Sequence, residues 1–220
     1  MSELDAIEFL DQQPRCACVL LLDTSGSMST QVGDTTPIAE LNEGLITFRD
    51  ELSKDDLAQK RVEVAIVEFN SRINVVQDFI QAQDFSPPTL ITEGLTAMGK
   101  GIEKAAEMVE ARKRTYKDNG VPYYRPWIFM ITDGEPTDSI DEATRLIAKG
   151  EESKSFAFFT VGVQSANMEK LAKISVRQPL KLRGLSFGEL FIWLSTSLTQ
   201  VSRSNTDDQI TMGKPDWEAL

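Results

Sequence analysis

Residues 16–27 read CACVLLLDTSGS, a short apolar run that ends abruptly in one carboxylate and three hydroxyls. A nearly continuous apolar run of this length is typical of a strand buried on both faces of a parallel sheet. Asp23 then stands where the strand ends. Because Gly26 allows the following loop to turn tightly, the side chains of Asp23, Ser25 and Ser27 can point to one place.

Similar apolar runs recur along the chain and alternate with helical patterns. Runs rich in β-branched and aromatic residues predict five strands, at 16–22, 62–69, 73–80, 126–132 and 156–163. Apolar residues spaced three and four apart predict helices within 38–52, 98–109 and 187–201, with a weaker pattern at 140–148.

The order of these elements indicates the fold class. Only residues 70–72 separate the second and third strands, which fits a hairpin and makes the third strand antiparallel. The other strands are separated by helical patterns, as right-handed parallel crossovers require. We therefore expect an α/β fold: a doubly wound, mainly parallel sheet with one antiparallel edge strand and helices on both faces.

Composition restricts the classes of partner. The chain has 220 residues, of which 41% are hydrophobic, enough for one full-sized core. Lys and Arg total 23 against 34 Asp and Glu, and the net charge of -11 argues against nucleic acid and anionic membranes as partners. The N-terminal sequence resembles no signal peptide, and no apolar run is long enough to span a bilayer, so we expect a cytoplasmic protein.

The domain is expected to occupy residues 1–201, followed by a polar C-terminal tail at 202–220. Trp217 is one of few apolar residues in this tail, and we expect it to dock on the domain. Cys16 and Cys18 lie on the same face of the first strand, with Cα atoms about 6.6 Å apart. That separation is near the upper limit for a disulfide, so both are interpreted as reduced core residues.

The candidate site is built from oxygen atoms. The sequence contains no histidine, which excludes histidine-dependent nucleophiles and histidine metal ligands. A second carboxylate, Asp133, follows the 126–132 strand, and Thr96 precedes the second predicted helix. Together with Asp23, Ser25 and Ser27 they make a set of two carboxylates and three hydroxyls. Such hard donors suit Mg²⁺ or Mn²⁺, with water or a partner's oxygen completing an octahedron.

These segments resemble a known family. The run Asp23-Thr24-Ser25-Gly26-Ser27, the threonine of GLTAMGKGI and the aspartate of FMITDGEPTD are similar to the metal-ion-dependent adhesion site of von Willebrand factor A domains. Longer stretches, such as VPYYRPWIFMITDGEPTD and LRGLSFGELFIWLSTSL, resemble standalone bacterial members associated with tellurium-resistance and stress-response gene clusters.

The resemblance implies a function as well as a fold. Ser25, Ser27 and Thr96 would be hydroxyl ligands of Mg²⁺ or Mn²⁺, while Asp23 and Asp133 would contact the metal directly or through water. A partner protein would supply a further carboxylate. The implied role is that of a non-enzymatic adaptor in a stress-response or defence pathway, with phosphatases or kinases as partners.

Other functions are compatible with parts of the sequence. Residues 94–101, GLTAMGKG, match the phosphate-binding pattern G-x-x-x-x-G-K but lack its final Ser or Thr, and the proline-containing segment 85–92 is a poor strand. Asp23 could be the nucleophile of an aspartyl-phosphate enzyme, although Ser25 stands where a second acid is usual. A domain that binds no specific ion is the third alternative. Further acids near the site are interpreted as loop charges or helix caps: Glu93, Glu135 and Asp138.

Overall fold

The computed structural model describes residues 13–164, 166–206 and 215–218. In these ranges one six-stranded sheet has the order β3-β2-β1-β4-β5-β6. Its strands are β1 (Cys16–Asp23), β2 (Val62–Phe69), β3 (Ile73–Gln81), β4 (Trp127–Thr132), β5 (Ala157–Gly162) and β6 (Leu180–Lys181). All neighbours are parallel except β2 and β3, which form the antiparallel hairpin at one edge. The predicted fold class is confirmed, and only the two-residue β6 was missed.

Helices cover both faces of the sheet. They are α1 (Pro37–Leu52), α2 (Asp56–Arg61), α3 (Met98–Asp118), α4 (Asp141–Glu152), α5 (Met168–Ile174) and α6 (Phe187–Arg203). One apolar cluster packs α1 and α6 on the sheet, and a second packs α3, α4 and α5 on the opposite face. The four predicted helices are confirmed. The sequence analysis missed α2 and α5 because six or seven residues are too few to show a helical period.

Strand β1 lies at the centre of this arrangement. All eight of its residues are buried, and alternate side chains enter the two apolar clusters. It pairs with β2 on one side and β4 on the other, so the strand order reverses between β1 and β4. Leu22 is opposite Ile131, which brings Asp23 and Asp133 to the same edge of the sheet. Parallel α/β sheets bind their ligands at such a reversal.

The cysteines are core residues, as predicted. Cys16 and Cys18 are free thiols, fully buried in the cluster under α1 and α6. Burial raises the pKa of Cys16 to about 12, and the carboxylate of Glu63 adds to the shift. A thiol with so high a pKa is protonated at neutral pH and is therefore a poor nucleophile.

The C-terminal residues 215–218 lie against the domain. Trp217 is 1% exposed, and its ring packs edge-on against Trp193 of α6 with centroids 5.5 Å apart. The backbone N–H of Arg183 donates to the carbonyl of Trp217 (3.0 Å), and Glu218 forms a β-bridge with Leu182 next to β6. Helix α6 continues past residue 201 to Arg203.

The described part of the chain contains no helix with both the length and the apolar character that crossing a membrane requires.

Replacing Trp217 by alanine is expected to destabilise the domain by about 3–5 kcal/mol, because a large buried aromatic side chain is lost without a substitute. Urea denaturation followed by circular dichroism measures the change. Asp216→Ala, at an exposed neighbouring position, is the control and should change stability by less than about 0.5 kcal/mol. Equal effects of the two substitutions would contradict the docking of Trp217.

Candidate metal centre

Asp23 is a buried carboxylate held by two donors. The backbone N–H of Ser25 donates to its Oδ1 (2.8 Å), and the hydroxyl of Thr132, at the end of β4, donates to its Oδ2. Burial raises the pKa of Asp23 to about 6, and the nearby charge of Asp133 also raises it, although the hydrogen bonds from Ser25 and Thr132 oppose the shift. The fold therefore keeps an acid where its ionised form is costly.

Two serines connect Asp23 to the second carboxylate. Ser25 Oγ and Ser27 Oγ are 3.0 Å apart, and Ser27 donates its hydroxyl to Asp133 Oδ1 (2.7 Å). Burial raises the pKa of Asp133, while the hydrogen bond from Ser27 lowers it. A row of oxygen atoms thus crosses from the loop after β1 to the loop after β4.

Thr96 faces the same small space from a third loop. A Cβ placed at Gly134 would lie 3.1 Å from Thr96 Oγ1 and 3.5 Å from Asp23 Oδ2, so both oxygens border the space above Gly134. The backbone of Thr96 is fixed by Thr137, whose N–H donates to the Thr96 carbonyl (2.9 Å). Thr96 is largely buried, yet its hydroxyl has no hydrogen-bond partner within the described ranges.

Hydrogen bonds between loops fix these positions. The loop after β1 is joined to residues 93–94, and the 93–97 loop is joined in turn to the β2–β3 hairpin. The bonds are Thr24 N to Phe69 O (3.0 Å), Glu93 N to Thr24 O (2.9 Å), Gly26 N to Gly94 O (3.1 Å), Ala97 N to Asn70 O (2.7 Å) and Leu95 N to Ser71 Oγ (2.8 Å). These hydrogen bonds therefore fix the backbone positions of the site residues, so that the side-chain oxygens are held in place by the loops.

The structure thus brings all five predicted residues to one edge of the sheet. Asp23 accepts from the N–H of Ser25, the hydroxyls of Ser25 and Ser27 are in hydrogen-bond contact, and Ser27 donates to Asp133. Thr96 borders the same space.

The three further acids have other surroundings. Asp138 accepts hydrogen bonds from the N–H groups of Gly99 (3.0 Å) and Lys100 (2.9 Å) and so caps α3. Glu135 ion-pairs with Lys170 at the surface, and Glu93 is exposed.

Thr132 is a residue of the candidate site that the sequence analysis missed. It lies directly before Asp133 and holds Asp23 in place across the β1–β4 pair. Its signal in the sequence is weak: it is one hydroxyl at the end of an otherwise apolar strand. Asn70, whose amide donates to Thr24 Oγ1 (3.1 Å), was missed for the same reason.

The charge balance of the site fits a divalent cation. No Lys or Arg in the described ranges forms an ion pair with Asp23 or Asp133. The buried Glu63, near the start of β2, is different: Arg112 Nε lies 2.7 Å and Arg15 Nε 3.5 Å from its carboxylate. A buried charge normally needs such a partner. Two carboxylates without a cationic side chain, together with three hydroxyls, match the charge and the donor preference of Mg²⁺ or Mn²⁺.

No group of three or more Asp, Glu, Cys or His that could hold a metal occurs in the described residues. The candidate centre accordingly depends on hydroxyl donors as much as on carboxylates.

Fold and site together define a doubly wound α/β domain with an oxygen-rich site at the point where the strand order reverses, between β1 and β4. The family model of the von Willebrand factor type A domain matches residues 18–181, and the chain belongs to this family. Domains of this family typically bind a divalent metal at the adhesion site and mediate protein–protein interactions. No curated protein sequence matches the chain.

Solved structures share the fold at low sequence identity. The pilus adhesin SpaC from Lactobacillus rhamnosus GG aligns over 85% of this chain with a TM-score of 0.67 and 14% identity. BatB from Bacteroides thetaiotaomicron aligns over 86% with a TM-score of 0.55 and 17% identity. Proximal thread matrix protein 1 from the mussel byssus, with a zinc-occupied adhesion motif, aligns over 84% with a TM-score of 0.57 and 13% identity.

The lengths of these proteins differ widely. The alignment covers 100% of BatB, 48% of the mussel protein and 30% of the adhesin. For the last two, the chain therefore corresponds to only part of the protein.

Asp23→Asn is expected to stabilise the metal-free domain, because a neutral amide avoids the cost of a buried charge. A rise in the pKa of Asp23 from 3.8 to about 6 corresponds to about 3 kcal/mol at neutral pH. Since the folded-state pKa is raised, metal-free wild type should gain stability as the pH falls through about 6. The variant should gain less, because only Asp133 of the two acids still has a raised pKa. Thermal unfolding in EDTA between pH 5 and pH 8 measures both effects.

The variant should unfold roughly 6–12 °C above wild type at pH 8. Asp34→Asn, at an exposed position, is the control and should leave the curve unchanged. A lower melting temperature for Asp23→Asn would show that the carboxylate is needed for folding.

Proposed function

We propose that this domain is a metal-dependent protein-binding module and not an enzyme. The cation, Mg²⁺ or Mn²⁺, would be held by Asp23, Ser25, Ser27, Thr96 and Asp133, and a partner protein would supply a further carboxylate. The observation that carries the proposal is the convergence of these five side chains on one space with no cationic side chain paired to either acid in the described ranges.

The ligand set determines what the cation can do. When bound, Mg²⁺ would take six oxygen ligands, and the chain offers five of them, two as carboxylates. Because the three remaining donors are neutral hydroxyls, the cation keeps a strong attraction for an incoming carboxylate. The chain's own residues orient the donors: Thr132 and the Ser25 N–H hold Asp23, and Ser27 holds Asp133.

Two observations favour binding over phosphate chemistry. The segment 85–97 before α3 contains no strand, although a phosphate-binding loop should follow one directly. Lys100, the lysine of the G-x-x-x-x-G-K pattern, ion-pairs with Glu103 (2.8 Å).

The biological setting that we propose is a cytoplasmic stress-response or defence pathway in a bacterium, including tellurium resistance. Its support is the resemblance of long stretches of the sequence to standalone proteins of that kind. The proposed partners are phosphatases, kinases or other proteins of the same response.

Metal binding can be tested with Mn²⁺ by isothermal titration calorimetry. Wild type is expected to bind one ion, and Asp23→Ala to bind none. Thr96→Val, which removes one hydroxyl and keeps the shape, should weaken binding about tenfold or more because a ligand oxygen is lost. Thr89→Val, at an exposed position in the loop before α3, is the matched control. Unchanged affinity of Asp23→Ala and Thr96→Val would place the cation elsewhere.

Partner binding needs a separate test. The tagged protein is used to capture proteins from bacterial lysate in Mg²⁺, in EDTA, and as the Asp23→Ala variant in Mg²⁺. We expect a specific partner only with wild type in Mg²⁺, because both other conditions remove the cation. A partner that is retained in all three would move the functional surface away from the five site residues.

A further inference from the structure

Asn70 lies in the turn between β2 and β3, and all four of its hydrogen-bonding groups have partners. Within the turn, its N–H donates to the Arg72 carbonyl (3.0 Å), and its Oδ1 accepts from the Arg72 N–H (2.9 Å). Outside the turn, its carbonyl accepts from the Ala97 N–H (2.7 Å), and its Nδ2 donates to Thr24 Oγ1 (3.1 Å). The residue is only 5% exposed, so these bonds are made inside the protein.

The two bonds that leave the turn reach direct neighbours of proposed metal ligands. Thr24 stands between two of these ligands, the aspartate and the first serine of the loop after β1. Ala97 follows Thr96, the third hydroxyl ligand. Asn70 therefore joins the two loops that must share one cation, although it is itself not among the five ligands.

The turn alone does not require an asparagine. A side-chain oxygen that accepts from the N–H two residues ahead is also supplied by Asp, Ser or Thr in such turns. Among these residues only asparagine adds an N–H donor, because a carboxylate is an acceptor and a hydroxyl ends closer to the backbone. This extra donor is used on Thr24, in the metal loop, and not within the hairpin.

The contacts of Asn70 close a ring of hydrogen bonds around Thr96. The Thr24 carbonyl accepts from the Glu93 N–H (2.9 Å), which ties the loop after β1 to the start of the 93–97 loop. Ala97, at the end of that loop, donates to Asn70, and Asn70 donates back to the Thr24 hydroxyl. Thr96 lies within the segment that this ring encloses. Loss of one bond opens the ring and lets the segment move relative to the carboxylates.

We propose that Asn70 is a positioning residue of the metal centre. Its amide and carbonyl hold the Thr96 hydroxyl close enough to Asp23 and Ser25 for one cation to bind all three. Hydrogen bonds that orient the ligands of a metal typically contribute about 10- to 100-fold to its affinity. The inference rests on the proposed function, since it concerns the same cation. It also has a reciprocal consequence: metal binding must stabilise the turn by as much as the turn stabilises the bound metal.

Two substitutions break the bond between the turn and the metal loop from opposite ends. Asn70→Ser keeps an oxygen for the Arg72 N–H but loses the amide donor. Thr24→Val removes the acceptor, keeps the shape and leaves the turn unchanged. Each is expected to weaken Mn²⁺ binding about tenfold in isothermal titration calorimetry. The double variant should bind no more weakly than either single variant, because all three lack the same bond.

Asn74→Ala is the matched control. Asn74 is an exposed asparagine of β3, and its amide donates to Glu68 Oε1 (3.0 Å), away from the metal loops. This variant should bind Mn²⁺ as wild type does. Urea denaturation of every variant establishes that it is folded, and Thr24→Val carries the test if Asn70→Ser does not fold.

Two further measurements separate positioning from a general effect on stability. Thr96→Val should weaken Mn²⁺ binding about tenfold in wild type but less than about threefold in Asn70→Ser, where the hydroxyl is no longer held in place. Hydrogen exchange of the Ala97 and Arg72 amides, measured by NMR, should be slower at saturating Mg²⁺ than in EDTA. This difference should be much smaller in Asn70→Ser.

The outcomes distinguish the inference from the proposed function. Wild-type Mn²⁺ affinity in both Asn70→Ser and Thr24→Val overturns the inference and leaves the proposed function intact. Additive losses in the double variant, or a full tenfold effect of Thr96→Val in Asn70→Ser, also overturn it, because the side chains would then act separately. Absence of Mn²⁺ binding in wild type overturns the proposed function and the inference with it.

Discussion

The complete burial of β1 is the constraint on which the candidate site depends. Both faces of the strand are covered by helices and both edges by parallel strands, so its side chains are apolar until its last residue, Asp23. There the carboxylate is still inside the protein and must find donors within reach. The register with β4 supplies one of them, because it sets Thr132 beside Asp23. The position of the charge and the position of its donor thus have the same cause.

Two buried acids in this domain, Glu63 and Asp23, have opposite electrostatic surroundings. Glu63, at the amino end of β2, is enclosed by Arg15, Arg112 and the hydroxyl of Tyr116. Asp23, at the carboxyl end of β1, receives only neutral donors, and a second carboxylate lies nearby. A stability requirement alone would favour the first arrangement at both ends. The second is understandable if a cation from solution completes the charge balance, so that stability is lowered locally to keep a binding site.

The sequence predicted most of the sheet and the five candidate ligands, because both rest on local patterns. Apolar runs bounded by polar loops predicted β1 to β5, and the three-residue link at 70–72 predicted the hairpin. The parts that were missed depend on contacts between distant segments. Thr132 contacts Asp23 only because β4 lies beside β1. The pairing of Glu63 with Arg15 and Arg112 joins β2, α3 and the residue before β1, which no spacing rule connects.

The same reasoning explains why the exposure of Leu95 and Ile91 could not be recognised in the sequence. Leu95 and Ile91 read as ordinary members of a loop, and an apolar side chain there could equally turn inward, as Leu90 does. The exposure of Leu95 follows from two hydrogen bonds that fix the direction of the backbone. Leu95 N–H donates to Ser71 Oγ, and Gly26 N–H donates to the Gly94 carbonyl. One set of contacts therefore has two results: it places the Thr96 hydroxyl beside the carboxylates, and it turns the preceding leucine toward solvent.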